Sequence, residues 1–141
     1  MSARSMCGLW PLFVVTAVVG CNGGGPAPPA DQLQIEAVAA WYQSYRAAHD
    51  GKAPPNEQAF TAFIERKQQE TGQTVDVQEL LTSPRDGQKY LVNYKPNSNS
   101  LHRNVAVYER EGHQGTKWLA FENKWSEEVD DTKLQEYLAR E

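Results

Sequence analysis

Ser83-Pro84-Arg85-Asp86-Gly87-Gln88-Lys89-Tyr90-Leu91-Val92-Asn93-Tyr94 is the stretch where the chain changes character. Pro84 to Gly87 is a turn signal, because proline presets a turn φ while Asp and Gly accept the conformations that follow. Tyr90, Val92 and Tyr94 then alternate with other residues, which sets them on one face of a strand. Upstream of this turn the periodic stretches have a helical period, and downstream of it strands follow until a last short helix.

Working upstream, Val38, Trp41, Tyr42 and Tyr45 fall three and four apart, the spacing of one helix face. Asp31 is the expected N-cap of this helix, and Gly51 with Pro54-Pro55 ends it. Asn56 is expected to cap a second helix with Phe60, Phe63 and Ile64 as its buried stripe, ending near Thr71-Gly72. Asp76 and Glu79 have capping-box spacing ahead of Leu80-Leu81, which predicts one further short turn of helix.

Working downstream, Lys95 to Ser100 reads as a polar loop, Val105 to Tyr108 as a strand and Glu111 to Thr116 as a glycine-containing hairpin connection. Trp118 to Phe121 reads as the next strand, and Trp125 to Val129 as a short fourth. Thr132 and Gln135 predict the opening of a last helix through Leu134, Tyr137 and Leu138. Helices first and a strand meander second is the α+β pattern. The expected architecture is N-terminal helices on a small three- to four-stranded antiparallel sheet, the first helix lying across it, with a short C-terminal helix.

The 141 residues carry 14 Lys and Arg against 18 Asp and Glu, a formal net charge of −4. That balance argues against a nucleic-acid partner, which calls for a basic patch or stripe. Two cysteines, Cys7 and Cys21, exclude a disulfide-dense scaffold and a four-thiolate zinc site.

The beginning of the chain reads as an address. Arg4 precedes an uncharged apolar run from Met6 to Val19, which is shorter than the roughly 20 residues of a membrane span. It fits the apolar core of a secretory signal peptide. Val18-Val19-Gly20-Cys21 follows and resembles the lipobox of bacterial lipoproteins. The resemblance implies transfer of a diacylglycerol to the Cys21 thiol, cleavage between Gly20 and Cys21, and acylation of the new amino terminus. A single acyl chain gives marginal membrane binding and two or more give a stable anchor. Residues 1–20 are thus an expected signal peptide and 21–30 an anchor and tether. Asn22 to Ala30, NGGGPAPPA, is too rich in Gly and Pro to bury a core. Residues 31–141 form a single expected α+β domain.

A second resemblance concerns that domain. Gly51-Lys52-Ala53-Pro54-Pro55-Asn56-Glu57-Gln58-Ala59-Phe60 resembles the helix-to-loop passage of type II secretion pseudopilin heads. Pro84-Arg85-Asp86-Gly87-Gln88-Lys89-Tyr90 resembles the turn that opens their sheet, and Val105 to Phe121 stands in the place of their C-terminal meander. The likeness implies a pilin-head-like fold and an accessory place in a secretion or pilus-like machine. The chain departs from that family in lacking the prepilin cleavage motif and the long apolar N-terminal helix. It also resembles small lipoproteins of planctomycete-like bacteria, which share the lipobox, the Pro-Arg-Asp-Gly turn and the terminal hairpin and helix.

The residue types that carry chemistry are sparse. His49, His102 and His113 form no metal-ligating pair by spacing, and His49 beside Asp50 at a helix end fits favourable electrostatics better than a dyad. Ser83, Ser98, Ser100 and Ser126 lack a nucleophile-elbow context. Glu127, Glu128, Asp130 and Asp131 cluster without the ligand alternation of a calcium loop, so no metal and no cofactor is expected. Most aromatic residues should be core, with Trp118 and Trp125 as a candidate exposed face for a glycan or peptide. The expectation from sequence is therefore a non-catalytic structural or interaction module, the alternative being an envelope glycan- or peptide-binding domain of weak hydrolytic activity. It is exported and lipid-anchored through Cys21 on the periplasmic or cell-surface side of a bacterial membrane, the outer membrane being favoured by Asn22. An envelope protein is its expected partner.

Overall fold

A computed structural model describes residues 27–94 and 104–139. The elements are α1 (Ala30–Ala48), α2 (Glu57–Thr71), α3 (Val77–Leu80), β1 (Leu91–Val92), β2 (Val105–Tyr108), β3 (Thr116–Phe121), β4 (Ser126–Asp130) and α4 (Asp131–Ala139). The strands make an antiparallel sheet in the order β1-β2-β3-β4. The fold is α+β, with helices packed on the sheet and a short C-terminal helix.

Alternation along β3 divides the core. Trp118 and Ala120 face the cluster that α1 builds from Ile35, Val38, Ala39, Tyr42 and Tyr45, joined by Phe60, Phe63 and Ile64 of α2. Leu119 and Phe121 face the other way, toward Val105, Val129 and Leu134. A register shift between Val105 and Val107 lets Ala106 and Val107 both join the α1 side. Such a bulge sets two residues of one strand against one of its neighbour. The sheet is thus covered on both faces, by α1 with α2 and α3 on one side and by α4 on the other.

The helix termini follow the sequence in part. Asn56 caps α2 as expected, its side chain accepting from the Ala59 N–H at 2.9 Å, and Gly72 ends that helix in the left-handed region at φ 68°. Asp76 accepts from the Gln78 and Glu79 N–H groups. Asp31, in contrast, is not the N-cap of α1. The helix opens at Ala30 behind Pro29, no side chain caps it, and Asp31 sits inside the first turn, where the Trp118 indole N–H donates to its carboxylate at 3.0 Å. The last helix opens at Asp131 rather than Thr132, because the Asp130 carboxylate takes the Lys133 N–H at 2.8 Å. β1 is shorter than the Tyr90–Tyr94 alternation predicts: Tyr90 N–H turns back to the Leu81 carbonyl at 2.9 Å. Tyr90, Val92 and Tyr94 nonetheless all pack on the α1 side.

Candidate functional site

The densest polar constellation grows from the turn that divides the chain. The Gly87 N–H donates to the Ser83 carbonyl at 2.9 Å and the Ser83 N–H to the Gln88 carbonyl at 2.8 Å, with Gly87 at φ 68°. This closed loop aims three side chains at the sheet. Ser83 donates its hydroxyl to Glu109 at 2.7 Å. Arg85 sets its guanidinium among Asp31 of α1 at 3.5 Å, Glu109 at 3.4 Å and Glu128 of β4 at 2.8 Å. Asp86 accepts the N–H groups of Glu111 and Gly112 at 3.0 and 2.8 Å, and that of Gln88 at 2.9 Å.

Glu109 is fully buried and stands where β2 leaves the sheet. Its second oxygen accepts the Trp118 backbone N–H at 2.8 Å. A buried carboxylate is tolerated only when paired and hydrogen-bonded, and Ser83, Trp118 and Arg85 meet that requirement together. Its charge has a visible effect on a neighbour: burial first, and Glu109 second, push the Tyr90 phenol well above its ordinary range. Glu128 is held below the usual carboxylate range, chiefly by the Thr116 hydroxyl at 2.6 Å and further by Arg85. For Asp86, burial acts against ionisation, yet the backbone N–H groups of Gln88, Gly112 and Glu111 bring its carboxyl below the ordinary value. The three carboxylates around Arg85 thus hold together α1, the turn, β2, β3 and β4. Both oxygens of Glu109 and one each of Asp31 and Glu128 take protein donors, so the arrangement is a joint between elements.

The other residues singled out from sequence are dispersed. His49 stacks on Tyr45 at 3.9 Å between ring centres, with Nδ1 2.8 Å from the Tyr45 carbonyl. His113 belongs to the β2–β3 hairpin, where its backbone exchanges hydrogen bonds with Thr116. His102, Ser98 and Ser100 lie outside the described residues, as do Val18, Val19, Gly20 and Cys21. Ser126 donates to Glu36 at 2.5 Å and accepts from Gln32 at 3.2 Å. The acidic cluster is tied to nearby donors: Glu127 to Lys133 and Tyr137, and Asp131 to Lys117 at 2.8 Å. Among the described residues, no group of three or more His, Cys, Asp and Glu could hold a metal ion, and no helix is long and apolar enough to cross a membrane.

Trp118 and Trp125 do not share a face. Trp118 packs against the α1 cluster, half-buried, whereas Trp125 is 47 % exposed and stacks on Phe121, on the α4 side. Strand alternation separates them, since Trp118 and Phe121 have opposite parity along β3. The expected aromatic platform is therefore not assembled from this pair.

Sequence reasoning read Pro84 to Gly87 as a turn and missed Arg85 and Glu109 as partners. The available signal was a glutamate directly continuing the apolar run Val105 to Tyr108, a position that forces a charge into the interior edge of the sheet. It also missed Gln68, which is 7 % exposed and continues the buried stripe of Phe60 and Ile64 along α2. Two grooves flank the α2–α3 connection, of about 400 and 370 Å³. A third, of about 410 Å³, runs beside the end of α1 against Glu122 and Asn123. None of the three is lined by a histidine. No protein-family model matches this chain, and no curated protein or solved structure matches it either.

Proposed function

We propose that this chain is a lipid-anchored, extracytoplasmic interaction module of the bacterial envelope, acting by binding rather than by catalysis. The observation that carries the reading is the sequence Val18-Val19-Gly20-Cys21 placed directly behind an uncharged apolar run and ahead of a Gly/Pro tether. Acylation of Cys21 would supply the membrane affinity, and the tether would let the domain move clear of the bilayer surface. Support for a non-catalytic role comes from the disposition of the polar groups. The densest charged cluster joins structural elements, and the His49 ring lies against its own helix, Nδ1 2.8 Å from the Tyr45 carbonyl.

The test is metabolic labelling with a fatty acid in a bacterium that processes lipoproteins. The wild-type chain takes up label and fractionates with membranes. Cys21→Ser takes up none and appears as uncleaved precursor or soluble protein. Wild-type protein retained in membranes with no lipid incorporated sinks the proposal.

A further inference from the structure

The first turn of α1 is attached to the domain without a buried apolar side chain. Ala30 and Leu33 are exposed, and the first fully buried apolar residue of the helix is Ile35. No side chain caps this turn, which opens behind Pro29. Three polar side chains hold it to other parts of the fold. Asp31 accepts the Trp118 indole N–H at 3.0 Å and lies 3.5 Å from the Arg85 guanidinium. Gln32 donates to Ser126 of β4 at 3.2 Å. The Gln34 amide reaches the carbonyls of Glu79, Leu80 and Thr82 at 2.9, 3.3 and 2.6 Å.

Bonds of this kind are individually modest, because water replaces either partner when they open. A segment with little apolar burial opens at a lower free energy than the core. This segment is also where the chain from Cys21 enters the domain, so a force on that end of the chain meets this turn first. Gln34 carries the effect further. Glu79 and Leu80 end α3, a helix of four residues, and a helix end leaves carbonyls without an intrahelical partner. Val77, Leu80 and Leu81 seat α3 on the α1 cluster, but the donor that closes its carbonyl end belongs to another helix. So short a helix is marginal in water without such support.

We infer that the first turn of α1 is a clasp, a unit that opens before the core and, through Gln34, releases the end of α3 as it opens. Closed, it ties the entry of the chain to β3, β4 and α3 at once. Opened, it leaves Arg85 on Glu109 and Glu128, so the sheet stays joined while α3 loses its donor. What works the clasp, a pull from an anchor at Cys21, rests on the function proposed above. The coupling is a property of the folded chain and needs no acylation, so either can fail without the other.

The experiment is native-state amide hydrogen exchange of the full, unacylated chain, read residue by residue by NMR. Leu33 and Gln34 report the clasp, Leu80, Leu81 and Thr82 report α3, and Ile64 reports the core. In the wild-type chain the clasp and α3 amides exchange faster than Ile64. Asp31→Ala, which removes the bond to Trp118 and the charge facing Arg85, speeds the clasp amides about tenfold, the scale of one hydrogen bond to a charged group. The α3 amides rise by the same factor, although Asp31 touches none of them. In a Gln34→Ala background Asp31→Ala no longer moves the α3 amides, because the link is already cut. Clasp or α3 amides that exchange no faster than Ile64 overturn the proposal. So do α3 amides that ignore Asp31→Ala in the wild-type background, or that respond to it equally with and without Gln34.

Discussion

On one face of the sheet α1 lays down Ile35, Val38, Ala39, Tyr42 and Tyr45, and α2 adds Phe60, Phe63 and Ile64. On the other face α4 commits Leu134 alone among the fully buried positions, with Tyr137 and Leu138 half-buried around it. The first face is closed by hydrophobic volume on a helix of 19 residues, the second by one of nine. The shorter helix makes up part of the difference with polar and aromatic contacts: Lys133 and Tyr137 hold Glu127, and the Tyr137 ring meets Phe121 edge-on at 5.3 Å. Exposed pairs of that kind contribute little, so the two faces should differ sharply in how they respond to truncation.

The largest expected effect is on the α1 face. Phe60→Ala should lower unfolding free energy by about 4 kcal/mol, and Leu134→Ala on the α4 face by about 2 kcal/mol, read from urea denaturation. Equal losses would break the comparison. Between the faces, at the edge where all layers meet, Arg85→Met should cost about 3 kcal/mol, because it leaves Glu109 buried without its counter-charge. The double variant with Glu109→Leu should recover part of that loss, and a failure to recover would remove the charge from the explanation. Gly112→Ala should cost about 2 kcal/mol: the residue sits at φ 73°, and an added Cβ would collide with the Thr116 carbonyl and lie 2.7 Å from the Lys117 side chain.

The smallest expected effect concerns acid. Asp86 and Glu128 both have carboxyl pKa values below the ordinary 3.8 and 4.5, so each contributes stability that is fully present above those values. That stability is lost as pH falls through the depressed folded-state values, since the unfolded chain then binds the proton more readily. Asp86→Asn should therefore flatten the acid limb of a plot of stability against pH while leaving its neutral-pH shape unchanged. A limb of unaltered slope would show that Asp86 contributes nothing through its charge.

Much of the fold was legible because its signals are local. Asn56 and Gly72 bound α2, the helical stripe of Val38, Tyr42 and Tyr45 is set by a spacing of three and four, and Pro84 to Gly87 turns the chain wherever it lies. Asp31 shows the limit of such signals. Its side chain is a good cap in isolation, but the helix starts two residues early, behind Pro29, and the Trp118 indole, 87 positions away, claims the carboxylate. The Arg85 cluster was illegible for the same reason, since its partners at positions 31, 109 and 128 come from three separate elements.

The sequence by itself determined the class of the fold, the order of its elements and the expectation of an anchor at Cys21, because periodicity, capping residues and short motifs act over a few neighbouring residues. Only the tertiary structure decided which face of the sheet each tryptophan joins, that Arg85 is a joint rather than a mere turn residue, and that Gln68 lies buried with one amide hydrogen-bonding group unpaired. Those properties depend on burial and on pairings between distant segments, and neither is fixed until the helices close over the sheet.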